Sequence, residues 1–168
     1  MKTLKNIFLI ILTIGVLQSC VVSEKPNIDF FTNSKYDFKG VKFMSINVPT
    51  ALAKSYIKKA LKEDSENEET INLVKKASKI KVLTVANGSE KMINDYNQYL
   101  SDNHYEEWAT IKHEGDNINI RVKQDGETIK NMLITVGSKQ KELVFVDVKG
   151  NFTISDISKM INSVSVNN

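Results

Sequence analysis

Cys20 is the only cysteine of the chain, and its setting gives the sulfur a specific chemistry. An apolar run at residues 7–17 ends in Leu17-Gln18-Ser19-Cys20, the order of a lipobox. A thiol placed after a small residue at the end of such a run accepts a diacylglyceryl group. A peptidase then cuts ahead of it and leaves Cys20 as the new amino terminus. Lys2 and Lys5 supply the positive segment of this leader. The run is too short to cross a bilayer, which takes about 20 apolar residues, and it suits a cleaved signal. Each buried methylene contributes roughly 0.8 kcal/mol, so two or three long chains make attachment to the membrane practically permanent. A single cysteine used in this way excludes an intrachain disulfide and a thiolate metal site.

The other residues capable of chemistry point to binding. His104 and His113 are the only histidines, and neither zinc-ligand spacing nor His-Glu-x-x-His is present. Gly-x-Ser-x-Gly, a phosphate loop and a dinucleotide glycine pattern are missing as well. No catalytic residue, metal or cofactor is therefore expected, although a carboxylate pair assembled in space has no sequence signature. The acid run at residues 63–69 lacks the glycine and ligand alternation of a calcium loop and reads as a solvated connection. With Lys2 and Lys5 removed, the 23 basic residues fall to 21 and stand almost level with the 20 acids. Arg121 is the only arginine, so the chain lacks the side chain best suited to bidentate phosphate recognition. Nucleic acid is excluded as a partner. Asn117, Asn119, Arg121 and Lys123 form a polar set that the core does not need, and they make the candidate partner face. Tyr105 and Trp108 form a candidate aromatic contact, since such rings stack on sugars or anchor proteins.

Apolar periodicity outlines the scaffold that must position these groups. Removing the leader at residues 1–19 leaves one domain's worth of chain, which buries roughly 68–70% of its unfolded surface. Residues 20–39 carry Pro26 and no sustained period, so they read as the lipidated Cys20 and a tether. This tether is expected to be flexible to about Asp29, with Phe30, Phe31, Tyr36 and Phe38 docking on the domain. The domain proper is residues 40–168. A strand at residues 41–48 leads through Pro49 into a helix carrying Leu52, Tyr56 and Ala60, then a second helix with Ile71, Val74 and Ala77. A strand at residues 80–86 precedes a helix capped by Ser89, with Met92, Ile93, Tyr96, Tyr99 and Leu100 inward.

From about Glu107 the period becomes two. Ile118, Ile120 and Val122 alternate with the polar set, as in a strand with one buried and one wet face. Asp125-Gly126 predicts a tight hairpin turn, and strands at residues 128–136 and 143–149 continue the meander. Thr153 with Asp156 opens a closing helix with Ile154, Ile157, Ile161 and Val164. The order predicts an α+β domain, a largely antiparallel sheet of about five to six strands with helices on one face.

The lipobox, Phe38-Lys39-Gly40-Val41, Asn87-Gly88-Ser89-Glu90, the strand-rich second half and residues 148–153 leading into Ile157-Ser158-Lys159-Met160 are shared in layout with a known group. Together they resemble the small Bacteroidetes lipoproteins of the domain-of-unknown-function family 4252. The resemblance implies an envelope lipoprotein, often encoded beside sigma-factor genes, and transfers no catalytic residue. The expected function is a non-enzymatic binding or interaction module, anchored to the membrane through Cys20 at the outer membrane, meeting an envelope protein in stress signalling. The alternative is a ligand-binding, glycan-binding or hydrolytic domain using an aromatic or acidic groove.

Overall fold

A computed structural model of the chain describes residues 22–53, 55, 68–113, 116–137 and 142–166. The leader, Cys20, most of the first predicted helix, residues 63–67 of the acid run and residues 114–115 and 138–141 lie outside the described residues. The strands are β1 (Val22–Ser23), β2 (Lys42–Val48), β3 (Ala77–Ala86), β4 (Glu106–His113), β5 (Asp116–Asp125), β6 (Thr128–Gly137) and β7 (Glu142–Phe152). The helices are α1 (Glu68–Lys76), α2 (Glu90–Asp102) and α3 (Ile154–Val166), and residues 50–53 begin a helical turn after Pro49. All strands join one antiparallel sheet in the order β1-β2-β3-β7-β6-β5-β4. The α+β reading and the antiparallel meander of β4 to β7 therefore hold.

The sheet has seven strands because residues 22–23 add an edge strand that composition hid. Val22 pairs with Ile46 and Ser23 with Ser45. Ser45 is buried and donates through Oγ to the Lys25 carbonyl at 2.7 Å, while Asn27 Nδ2 donates to the carbonyl of Ile46 at 3.2 Å. Ile28, Phe30 and Phe31 are buried next. Residues 22–29 are thus part of the fold, where the sequence suggested a flexible tether, and Phe30, Phe31, Tyr36 and Phe38 dock on the domain as expected. Aromatic docking explains it, since Phe30 contacts the rings of Phe31, Tyr36, Phe38, Tyr96 and Tyr99.

The helices lie on both faces of the sheet, and the expectation of one covered face is corrected. Side chains alternate along a strand, so each strand feeds two cores. On one face Leu83, Val85, Leu133 and Phe145 meet Met92, Tyr96 and Leu100 of α2 together with Phe30 and Phe31. On the other, Ile120, Val122, Met132 and Val148 meet Leu73 of α1 and Ile157 of α3. Two apolar faces on the central strands cannot both be left to water, which is why α2 must cross to the side opposite α1 and α3. Lys76 Nζ meets Asp156 at 2.6 Å, and Thr153 and Asp156 exchange side-chain to backbone hydrogen bonds at 2.7 and 3.2 Å, joining α1 to the start of α3. The Asp125-Gly126 turn forms as expected, with Gly126 at φ 60°.

Candidate functional site

The cap of α2 sets the geometry of the site. Ser89 Oγ accepts from the Met92 amide at 3.1 Å, fixing the phase at which Met92, Tyr96 and Leu100 point into the sheet. Ile93 and Asn97 sit one step around the helix, outside this stripe. Ile93, expected to point inward, is 39% exposed. Beside it the helix and sheet diverge into an open groove of about 350 Å³. Ile93, Tyr96, Leu143 and Phe145 form its apolar side, while Asn97, Asn117, Asn119, Arg121 and Thr135 supply polar groups. Three of the four residues in the predicted partner face therefore line one concavity with α2.

Arg121 is held in place by a closed ring of hydrogen bonds across β4 and β5. Its Nε donates to Asn119 Oδ1 at 3.1 Å and its Nη2 donates to Glu107 Oε2 at 3.0 Å. Asn119 Nδ2 donates to Thr110 Oγ1 at 2.9 Å, and Thr110 Oγ1 donates to Glu107 Oε1 at 3.0 Å. Hydrogen bonds from Asn119 and Thr110, with the Arg121 charge, hold the Glu107 carboxyl below its usual range. The cation is oriented before any ligand arrives, which lowers the ordering cost of binding. Tyr96 OH stands 3.4 Å from Thr135 Oγ1, and burial pushes the phenol up to about 12, so it enters the groove as a neutral hydroxyl. The groove can therefore accept an apolar body on one side and hydrogen-bonding or anionic groups on the other.

The remaining predicted residues are dispersed. Lys123 is not in the groove; its Nζ lies 5.7 Å from the Tyr105 ring centroid. Tyr105 packs against the α2-side core, and its hydroxyl accepts from Asn131 Nδ2 at 2.8 Å. Trp108 packs on the opposite core with Ala109 and Ile111. The two rings stand three residues apart, and because side chains alternate along the chain they face opposite sides of the sheet and do not form one aromatic contact. His104 is exposed, and the side chain of His113 lies outside the described set. Among the described residues, His, Cys, Asp and Glu do not gather in threes able to hold a metal. No helix among them is long and apolar enough to cross a membrane.

One polar cluster went unseen in the sequence. Lys81 and Asp147 are register partners on β3 and β7, both buried, with Nζ 3.8 Å from Oδ2. Asp29 Oδ1 lies 3.3 Å from the same Nζ. Burial raises the Asp147 carboxyl above its usual range against the opposing pull of Lys149 and Lys81. For Asp29, burial works in the same direction, but Lys81 and Lys149 prevail and hold it below the usual range. Asn131 Oδ1 and Asp147 Oδ1 are buried without a hydrogen-bond partner among the described residues. The space that both residues line is only about 10 Å³, so this cluster braces the core and does not form a ligand site. Its signal was present: Lys81 shares strand phase with Leu83 and Val85, and Asp147 with Phe145 and Leu143.

Residues 36–160 match the family described as Domain of unknown function (DUF4252). No curated protein and no solved structure matches the chain.

Proposed function

The chain belongs to the DUF4252 family, a family defined without an assigned activity, and from that premise we propose that it is a lipid-anchored binding module of the cell envelope. In this reading Cys20 carries the lipid, and the groove between α2 and β5 to β7 takes a ligand or a protruding segment of an envelope partner. The observation that supports it is the pairing of an apolar wall at Ile93, Leu143 and Phe145 with an arginine already oriented by Asn119 and Glu107. Glu107 and Arg121 neutralise one another in part, so the site favours a polar or singly anionic group over a highly charged one. The described lining holds no carboxylate, Glu107 is engaged in the ring with Arg121, and the reading is binding without turnover. A place in envelope stress signalling is the role the family resemblance suggests for such a module.

The test compares wild type with Asn97→Trp, which fills the groove from an exposed position on α2. Both are purified from native membranes and examined by mass spectrometry for retained small molecules and proteins. A component held by wild type and lost at least tenfold by the variant supports the groove. Identical retained sets, with both proteins folded, refute it.

A further inference from the structure

We propose that the β1–β2 edge of the sheet lies flush against the lipid surface in which Cys20 is anchored; this rests on the lipidation reading above. The chain enters the fold at Val22, where β1 pairs with β2, and the contacts of Lys25, Asn27 and Ile28 secure the next residues. Cys20 is only two residues upstream of Val22. At roughly 3.3–3.6 Å per residue, the anchored residue stays within about 7 Å of the edge strand. A domain on so short a lead cannot stand away from its bilayer. The antiparallel register sets Val22 beside Ile46, near the Val48 end of β2, where the helical turn at residues 50–53 follows.

The surface at this edge has the composition for such a contact. Of the five large hydrophobic side chains exposed among the described residues, Val22 at 59% and Met44 at 51% belong to β1 and β2, and Leu52 at 48% to the turn that directly follows β2. Val22 is the partner of Ile46, and Met44 and the exposed Lys42 follow on the same face of β2 by strand alternation. Apolar side chains at a membrane interface enter the boundary between headgroups and acyl chains, while a lysine keeps its ammonium at the headgroups. The far edge, β4, presents the exposed Glu106, Glu107 and Lys112 instead. With strands about 4.8 Å apart, β5 lies roughly 24 Å from β1 across the sheet. The edge contact therefore holds the Arg121 groove out on the aqueous side.

The experiment uses the full chain, processed and lipidated in a bacterial host and reconstituted in phosphatidylethanolamine and phosphatidylglycerol vesicles. Once Cys20 is acylated, a fluorophore reacts only with a new thiol at Met44→Cys, Leu52→Cys or, at the far edge, Lys112→Cys. Quenching by a headgroup nitroxide lipid should be at least threefold stronger at position 44 or 52 than at 112, and a water-soluble quencher should give the reverse order. Equal lipid quenching at both edges, with an intact mass showing acylated Cys20 and circular dichroism showing folded protein, overturns the docking proposal alone. A mass without acyl chains overturns the lipidation reading and the docking together. Two edge positions keep the test decisive where one variant fails to fold.

Discussion

Replacing Phe30 with Ala tests whether residues 22–39 belong to the folded domain. The ring is fully buried and lies 4.6 to 5.5 Å, centroid to centroid, from five aromatic neighbours. Truncating a buried phenylalanine costs about 3–5 kcal/mol, and each aromatic pair adds about 0.5–1.5 kcal/mol beyond burial, non-additively. Tyr36, Phe38 and Tyr99 are only half-buried and can relax into the space, which keeps the expected loss near about 4 kcal/mol. Against a typical total of about 5–15 kcal/mol this is a large fraction. At about 2–4 °C per kcal/mol for a chain of this size, the midpoint should fall by about 8–16 °C. The assay is urea and thermal unfolding of a soluble chain beginning at Val22, followed by the fluorescence of Trp108. That residue is the only tryptophan and packs in the core on the opposite face, so it reports cooperative loss of the whole sheet. A loss below about 1 kcal/mol would show that the segment is a tether after all, since exposed substitutions fall in that range.

Lys81→Met should cost up to about 3 kcal/mol near pH 7, because it removes one of the two cations, Lys149 and Lys81, that oppose the burial of the Asp147 carboxylate. Burial already raises the folded pKa of Asp147, so stability from its neutral form is complete below the unfolded value and lost as pH rises through the folded one. Removing Lys81 raises it further; the deficit should shrink as urea melts move from pH 7 toward pH 4.5, and a deficit that grows on acidification contradicts the assignment. Gly150→Ala should destabilise by about 1–3 kcal/mol in the same melts, since a Cβ there would stand 2.5 Å from the Phe152 ring and 2.6 Å from the Lys76 carbonyl oxygen; an unchanged midpoint would contradict that close approach. Arg121→Ala should cost no more than about 1 kcal/mol, as its pairing with Glu107 is half in water, and a loss above 3 kcal/mol would make the ring a structural support instead of a binding element. Cys20→Ala should abolish incorporation of a fatty-acid probe, and label retained by the variant would contradict the lipobox.

Alternating and helical periods in the sequence were enough for the strands β4 to β7, the Ser89 cap, the Asp125-Gly126 turn and the closing helix, because each depends on neighbours within a few residues. They also isolated Arg121 with its polar neighbours, since a strand's wet face is visible as every second residue. Tertiary structure decided what that face meets. Nothing local places Ile93 and Tyr96 across from Arg121, and a helix crossing to the second face of the sheet depends on how both faces of the central strands are buried. Likewise Pro26 and the polar residues around it resemble a tether, yet Phe30 finds its partners from Tyr36 to Tyr99 and takes the preceding residues into the sheet. Lys81 and Asp147 each share strand phase with core residues, but only antiparallel pairing sets the two charges opposite one another. Short-range order is written in the spacing of residues along the chain, whereas a groove, a buried ion pair and a docked segment are made by residues far apart in sequence whose burial only the assembled sheet determines.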